Sequence, residues 1–463
     1  MYYFFKVKFR FALGKTLFIS YSKFCYLCIC NIGIMKIKLF FISMLMTISG
    51  LCTAQICGCT DSLAINYDTN ATVNDGSCEY ASTIIEATEI GLLDSLLNGS
   101  SSLFFWNDGY WSFNDHSDNC LYRIDSTNAT TTESLCINGI SSDDIEEISQ
   151  DSLYLYFGDI GNNSGSRHDL HILRISKEAI LNHTLAVDTI SFFYEDQTDF
   201  TPQQQATDFD CETFVVSRDS IYLFTKQWVS KKTTIYSLPK TPGTHIAHQH
   251  ETYNANGLIT GATYLPEYQL AVLCGYDYDP ENMLSALHPF IILLYDFQAD
   301  KFFSGNKRRV DFDFSTRAQV EAIATHNVLN YYVTSEHFAA SIIGFNLNFP
   351  AKLMRLDLRD YLLPYLNRFD IFNNQNIIQY SHRQADDIHI YPNPTTNQLY
   401  IHCPQTLSGA EYEIFNLNGQ LMMEGVLKDK IIYLNNRNLA SGKYILVLRK
   451  NEEVKTFSFI KKE

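Results

Sequence analysis

Three glutamates recur at the same point of a repeated pattern. Glu146 stands in Asp144-Ile145-Glu146-Glu147-Ile148 ahead of the run LYLYFGD, and Glu212 in Asp210-Cys211-Glu212-Thr213-Phe214 ahead of IYLFTKQ. Glu321 stands in Gln319-Val320-Glu321-Ala322-Ile323 ahead of YYVTSEH. A fourth copy, Gly261-Ala262-Thr263-Tyr264 ahead of QLAVLCGY, carries glycine where the others carry glutamate. Equivalent positions of a closed repeat converge on its axis, and three carboxylates held there repel unless a cation or an arginine neutralises them. Asp159 and Asn163, with Asn162, Arg167 and His337, can join them from the loops after the repeat strands. Together they outline a candidate site for calcium or a similar hard cation, structural or substrate-binding. The competing account has each glutamate cap its own turn by accepting hydrogen bonds from backbone amides.

Two further groups have ligand-like spacing. His245, His248 and His250 form H-x-x-H-x-H after Pro242-Gly243, a spacing that zinc or nickel accepts, in a segment expected to be a solvated loop. Asp68, Asn70, Asn74 and Asp75 supply oxygens ahead of Gly76, as a calcium loop does, but lack the bidentate glutamate at its twelfth position. Turn formation accounts for the same residues, because Asn and Asp side chains bond their own backbone. The chain has no G-x-S-x-G elbow, H-E-x-x-H helix or Walker loop, so no decisive catalytic motif is present.

The elements that position these residues are strands. Short aromatic and β-branched runs at 102–106, 121–124, 153–157, 170–175, 190–194, 221–226, 233–238, 270–274, 290–295, 331–334 and 341–347 are separated by Asn, Asp, Gly and Ser clusters. The repeat-bearing strands begin near 103, 153, 221, 269 and 331, a step that suits four-stranded blades with some long connections. Residues 83–384 are therefore expected to form an all-β β-propeller of six blades, or five. Residues 83–90 or 371–380 would close it by joining a blade begun at the other end, which removes free sheet edges. Cys120 and Cys136 flank a hairpin-like stretch and can bridge across it, whereas Cys211 and Cys274 read as small buried side chains.

Asp144, Glu146, Ile148, Leu155, Gly158-Asp159-Ile160-Gly161-Asn162-Asn163, Arg167, Ile172 and Arg174-Ile175 together resemble a pattern of secreted bacterial propellers. That resemblance implies the fold rather than an activity. Residues 57–80 resemble a short module of secreted proteins from bacteria that use type IX secretion. The match runs through Gly58-Cys59-Thr60-Asp61, Ala64, Asn66-Tyr67, Ala71-Thr72 and Asp75-Gly76-Ser77-Cys78. About twenty residues bury no core of their own, so a bridge must supply the stability, and Cys59 with Cys78 is the natural pair.

At the N-terminus, Met35-Lys36-Ile37-Lys38 and the apolar run 39–51 have the form of a signal peptide spanning 35–54. Residues 1–34 read as a start-site artefact, with a membrane anchor as the alternative. At the other end, residues 386–463 resemble the C-terminal sorting domain of type IX secretion. The resemblance is carried by Tyr391-Pro392-Asn393-Pro394, the hairpin around Asn418-Gly419, and Gly442 and Tyr444 in the L-x-x-G-x-Y-x-V strand. It implies a small Ig-like β-sandwich, recognition by the outer-membrane secretion machinery, and release outside a Gram-negative cell or retention on its surface.

Acidic residues outnumber basic ones 51 to 35, so the surface repels phosphate backbones and excludes nucleic acid as a partner. The membrane is met only during export. These features point to an exported binding or interaction module for an extracellular ligand. The alternatives are a calcium-assisted propeller hydrolase of the phytase or lactonase sort, and a surface-structural or adhesive protein.

Overall fold

The computed structural model describes residues 55–115, 119–137, 140, 144–184, 186–278, 287–342 and 345–369, with two short paired strands at Val7–Arg10 and Thr16–Ile19. Near the C-terminus it describes 389–391, 395, 398–402, 409–416, 420–427, 431–433, 439–450 and 453–461. The signal segment 35–54, Pro392-Asn393-Pro394 and Gly419 lie outside the described residues. Among those described, no helix is long and apolar enough to cross a membrane. The chain divides into two compact units, 1–365 and 366–463.

The first unit is built from antiparallel sheets in which successive strands are neighbours. The first sheet holds Ser100–Trp106, Gly109–Asn114, Cys120–Ile124 and Thr131–Cys136. The second holds Ile145–Gln150, Tyr154–Asp159, His171–Ser176 and Val187–Tyr194, and the third Asp210–Val216, Ser220–Lys226, Thr233–Pro239 and Gly243–Tyr253. The outer strands of these two run parallel and pair, making one continuous sheet. The fourth consists of Leu258–Leu265, Leu270–Asp277, His288–Tyr295 and Asn306–Phe312, with Ile84–Ile85 added in parallel at its edge. The fifth takes Gln319–Thr325, Asn330–Glu336 and Lys352–Asp357 from late in the chain, and its last strand, Thr88–Leu92, from the beginning.

The first strand of each sheet packs against the first strand of the next, and that of the fifth against that of the first. Apolar faces meet between neighbouring sheets because alternate residues of each strand point to opposite faces. Phe104, Trp111 and Phe113 meet Ile148, Leu155 and Phe157 between the first two. Tyr156, Ile172 and Phe192 meet Phe214 and Leu223 between the next two, and Phe224 and Ile235 meet Ile259, Leu273 and Phe290 beyond them. Leu103, Tyr110 and Tyr122 meet Ala324 and Leu353 where the fifth sheet returns to the first. A fully buried side chain of this kind contributes about 1.5–3 kcal/mol.

All five first strands carry a β-bulge at the same place. The ladder skips one residue in each: Ser101, Glu146, Glu212, Thr260 and Glu321. The fourth repeat is thus shifted by one from the sequence alignment, and Thr260, not Gly261, is the equivalent of the glutamates. Glycine at 261 answers a different need. A Cβ there would lie 2.6 Å from the Glu321 carbonyl oxygen and 2.7 Å from the Cys274 sulfur.

The second unit packs a sheet of His389–Tyr391, Gln398–His402 and Ile431–Tyr433 with a sheet ordered Leu421–Val426, Glu411–Asn416, Gly442–Lys450 and Glu453–Lys461. Ile414, Tyr444, Leu446, Leu448 and Phe459 form its core, and the Tyr444 hydroxyl donates to the Ala440 carbonyl at 2.7 Å. Both expected bridges are formed in the first unit, Cys59–Cys78 and Cys120–Cys136. The second links directly opposed residues of one hairpin.

Phe157 is fully buried and meets the Phe113 ring edge-on across the sheet boundary at 6.0 Å. Phe157→Ala is expected to cost about 3–5 kcal/mol, because the surrounding sheets cannot collapse into the cavity. Urea denaturation of the secreted protein measures it.

Candidate functional site

The bulge turns one extra side chain of each inner strand toward its neighbours at one end of the strand cycle. In two sheets that residue is a hydroxyl that closes onto the next sheet. Ser101 Oγ donates to the Ile145 carbonyl at 3.0 Å, and Thr260 Oγ1 to the Val320 carbonyl. In the other three it is Glu146, Glu212 or Glu321, all buried.

Their neutralising partner is Lys226, whose Nζ lies 2.8 Å from Glu212 Oε1. The ammonium also sits over the Trp228 ring, 4.7 Å from its centroid, and 5.7 Å from that of Tyr276. Lys226 is only 3% exposed. Burial opposes its charge, but Glu212, Tyr276, Glu321 and Asp210 outweigh that and hold it well above the usual lysine range. The same register places Asp115, Ile160, Tyr276 and Glu336 at the positions in their sheets that Lys226 holds in the third.

The surrounding acids are driven toward their neutral forms. Burial first, then Glu212 and Asp144, pushes Glu146 well above the carboxylate range. Burial does the same to Glu321, against the pull of Lys226 and with Glu336 and Glu212 adding to it. Asp210 rises to about 7 through burial and Glu212, and Glu336 to about 7 through burial and Asp115. Asp144 is raised as well, chiefly by burial, while a hydrogen bond with Glu146 opposes the rise. Glu147, the residue after the bulge, is another buried acid pushed well up by burial. It accepts from Thr213 Oγ1 at 2.7 Å and from the Ala262 amide at 3.5 Å, bridging the second, third and fourth sheets.

The three expected glutamates therefore come together, but around an ammonium instead of an open set of oxygens. Local capping of a backbone amide falls to the next residue along, since Glu147 accepts from the Ile148 amide at 2.9 Å. Asp159 pairs with Arg167 at 2.6 Å, and Arg167 also donates to the Gly161 carbonyl at 3.0 Å. Asn162 bridges to the third sheet instead of facing a cation: its amide donates to Asp210 at 2.6 Å and its side chain to the Phe209 carbonyl at 3.0 Å. Asn163 contributes its carbonyl to the Gln205 amide. A Cβ at Gly161 would displace the carboxyl groups of Asp144 and Glu146. The shared loop pattern thus knits the second sheet to the third. His337 is held aside by Asn348 at 2.7 Å. Among the described residues, no group of three or more His, Cys, Asp or Glu side chains is arranged to hold a metal.

The histidine triplet lies in the strand Gly243–Tyr253, not in a loop. His245 faces one side and His248 and His250 the other, because an offset of three reverses direction on a strand. Each has its own partner: the Thr241 carbonyl, Glu195 and Ser237 respectively. The oxygens of the small module are likewise used in turns, Asp68 accepting from the Asn70 amide, Asn74 from Gly76 and Asp75 from Ser77.

A cavity of about 270 Å³ opens at the far ends of the inner strands. Its lining comes from all five sheets: Phe105, Ser149 and Gln150, Val216, Ala262 to Leu265, and Thr325 with His326. Phe105 and His326 stack at 5.0 Å, and His326 Nδ1 shares a hydrogen bond with the Tyr110 hydroxyl at 2.8 Å. Among the described residues, no carboxylate or ammonium group lines this cavity. Gln150 is spent on the Phe105 carbonyl and Lys177, both at 2.7 Å. Sequence reasoning does not find this site, since its members share no residue type or spacing.

Residues 389–462 match the family model of the secretion system C-terminal sorting domain. The chain carries a type IX export address. The protein is thus exported to the cell surface or beyond, where its two disulfides persist. The tail implies an interaction with the type IX secretion machinery. No curated protein matches the chain. Among solved structures, the glutaminyl cyclase of Myxococcus xanthus is similar at 10% identity and a TM-score of 0.33, covering 60% of this chain and 99% of that one. PorZ, a surface component of the type IX secretion system of Porphyromonas gingivalis, is similar at 12% identity and a TM-score of 0.22, covering 78% and 70%. Neither likeness is close enough to carry a function across.

Lys226→Met is expected to destabilise the protein by about 3–5 kcal/mol at pH 8, because it leaves Glu212 buried without a counter-charge. For the wild type, Asp210 and Glu336 bind protons more tightly folded than unfolded. Their contribution to stability is full near pH 4 and is lost as pH rises through about 7. The melting temperature should therefore rise between pH 8 and pH 5.5; a fall over that range contradicts the burial of these acids.

Proposed function

We propose that this exported protein is a five-bladed β-propeller acting as an extracellular binding module, with its ligand received in the axial cavity. The cyclic contact of the first strands, the four-stranded sheets and the return of Thr88–Leu92 to the last sheet support the ring. Five is the smaller of the two counts the repeats allow. The length left over for a sixth blade is taken up by long connections and by the hairpin Phe338–Ile342 with Phe345–Phe349.

One observation carries the binding reading: the cavity is lined by every sheet at once. Such a site is formed only by the closed ring, and small-molecule sites favour concave places where several elements converge. Among the described residues its walls hold no carboxylate or ammonium group to answer a charged ligand, so a neutral ligand fits best. Calcium-assisted hydrolysis has weaker support, because the carboxylates that would hold the cation already surround Lys226.

Titrating the secreted protein with the neutral apolar fluorophore Nile red tests the site. Saturable binding is expected in the wild type and its loss in Thr263→Trp, which places a large ring among the cavity's lining residues. Binding that survives this substitution would overturn the assignment. Turnover of phosphate esters or lactones only in the presence of calcium would favour the hydrolase instead.

A further inference from the structure

The module at 57–80 is folded by its own bridge and turns, yet part of its signature faces the rest of the unit. Inside, Cys59–Cys78 closes the loop, Asn66 bonds the Ser77 carbonyl and the Glu79 amide, and Thr72 accepts from the Ile56 amide. Outward, Asp61 is 5% exposed and accepts from the hydroxyls of Tyr80, at 2.7 Å, and of Tyr295 in the fourth sheet. The Asn74 amide donates to Asp296 at 3.0 Å and to Asn306 at 2.9 Å. Lys307 Nζ donates to the Gly76 carbonyl at 3.1 Å. Gly76 has φ +75°, and a Cβ there would stand 2.6 Å from the Ser304 carbonyl oxygen, so only glycine permits this approach. Arg308 completes the contact by lying over the Tyr80 ring at 5.0 Å.

The chain leaving the module continues along the same sheet. Ile84–Ile85 pairs with Asp311 and Phe312 of the outer strand, and Thr88–Leu92 then crosses to complete the fifth sheet. The apolar residues that an adhesive module would present, Ile65 at 69% and Tyr67 at 44% exposure, are the ones left in solvent.

We infer that residues 55–92 are a clasp: the module is a recognition element for the outer strands of the fourth sheet, and its docking aims Thr88–Leu92 into the fifth sheet and holds the cycle of sheets shut. The partner it fits is a paired outer strand presenting a tyrosine hydroxyl, a carboxylate and a side-chain amide oxygen, here Tyr295, Asp296 and Asn306. Asp61 is the pin, because its carboxylate joins the two surfaces: Tyr80 and the Leu63 amide donate to it from within the module, and Tyr295 donates to it from the fourth sheet. The disulfide keeps Thr60 and Asp61 on one side of the loop and Gly76 on the other in the spacing the outer strands require.

Native-state hydrogen exchange of the secreted protein, read by mass spectrometry, tests the clasp. In the wild type, the Asp68 and Thr72 amides of the module and those of 88–92 should exchange at matching rates, since they open together. Asp61→Asn should speed exchange of 88–92 and of the facing strand 352–357 by about ten- to a hundredfold. Asn74→Ala, which removes only half-buried contacts, should act in the same direction in case Asp61→Asn does not fold. The exposed pair Ile65→Ser and Tyr67→Ser should change neither strand. A module that opens alone in the wild type, or protection of 88–92 that survives Asp61→Asn or Asn74→Ala, would overturn the inference.

Discussion

A buried ammonium at the meeting point of the inner strands is the constraint around which this protein is organised. Repeating one bulge in five sheets sends five extra side chains to the same end of the strand cycle, and each must be satisfied without water. Ser101 and Thr260 manage this alone, by donating to the carbonyl of the neighbouring inner strand. Glu146, Glu212 and Glu321 bring charge that has to be balanced or protonated away. Lys226 balances the charge next to it, and burial pushes Glu146 and Glu321 toward their neutral forms. The Glu212 carboxyl raises the proton affinity of both Glu146 and Glu321, so the cluster behaves as a single electrostatic unit.

The two ends of the strand cycle consequently differ in chemistry. One is filled by acids, Lys226 and the indole of Trp228, which also donates to Asp210 at 2.7 Å. The other ends in Phe105, Thr263 and His326 around an open cavity without ionised carboxylate or ammonium groups. An acidic protein can thus hold a cavity without carboxylates among its described lining residues, because its closest-packed acids gather at the other end. The small module at 57–80 adds a third feature, a lateral hold on the fourth sheet just ahead of Thr88–Leu92, the strand that joins the fifth sheet.

Much of this is legible in the sequence because repetition exposes it. The glutamates of three repeats align on their following strands, and equal positions in equal sheets do converge. The alignment slips by one in the fourth repeat, where the bulge residue is a threonine and the glycine beside it serves close packing. Lys226 carries no such signal. Its counterparts are Asp115, Ile160, Tyr276 and Glu336, and a position that changes its chemical type in every copy does not look like part of a site. The histidine triplet misleads in the opposite way, since its spacing suggests ligation while the strand it occupies divides the side chains between two faces.

By itself the sequence determined the strand-forming runs, the two disulfide pairs, the sorting tail and the recurrence of carboxylates at one repeat position. These depend on local pattern: alternation along a strand, turn chemistry, and an ordered set of motifs at the end of the chain. Tertiary structure decided which charge meets the carboxylates, which of the Asp and Asn oxygens are spent in turns, and where the chain closes on itself. It also decided that the module rests on the fourth sheet. Such outcomes are set by contacts between residues hundreds of positions apart, as between Asp61 and Tyr295, and neither partner's local pattern records the energy of their meeting.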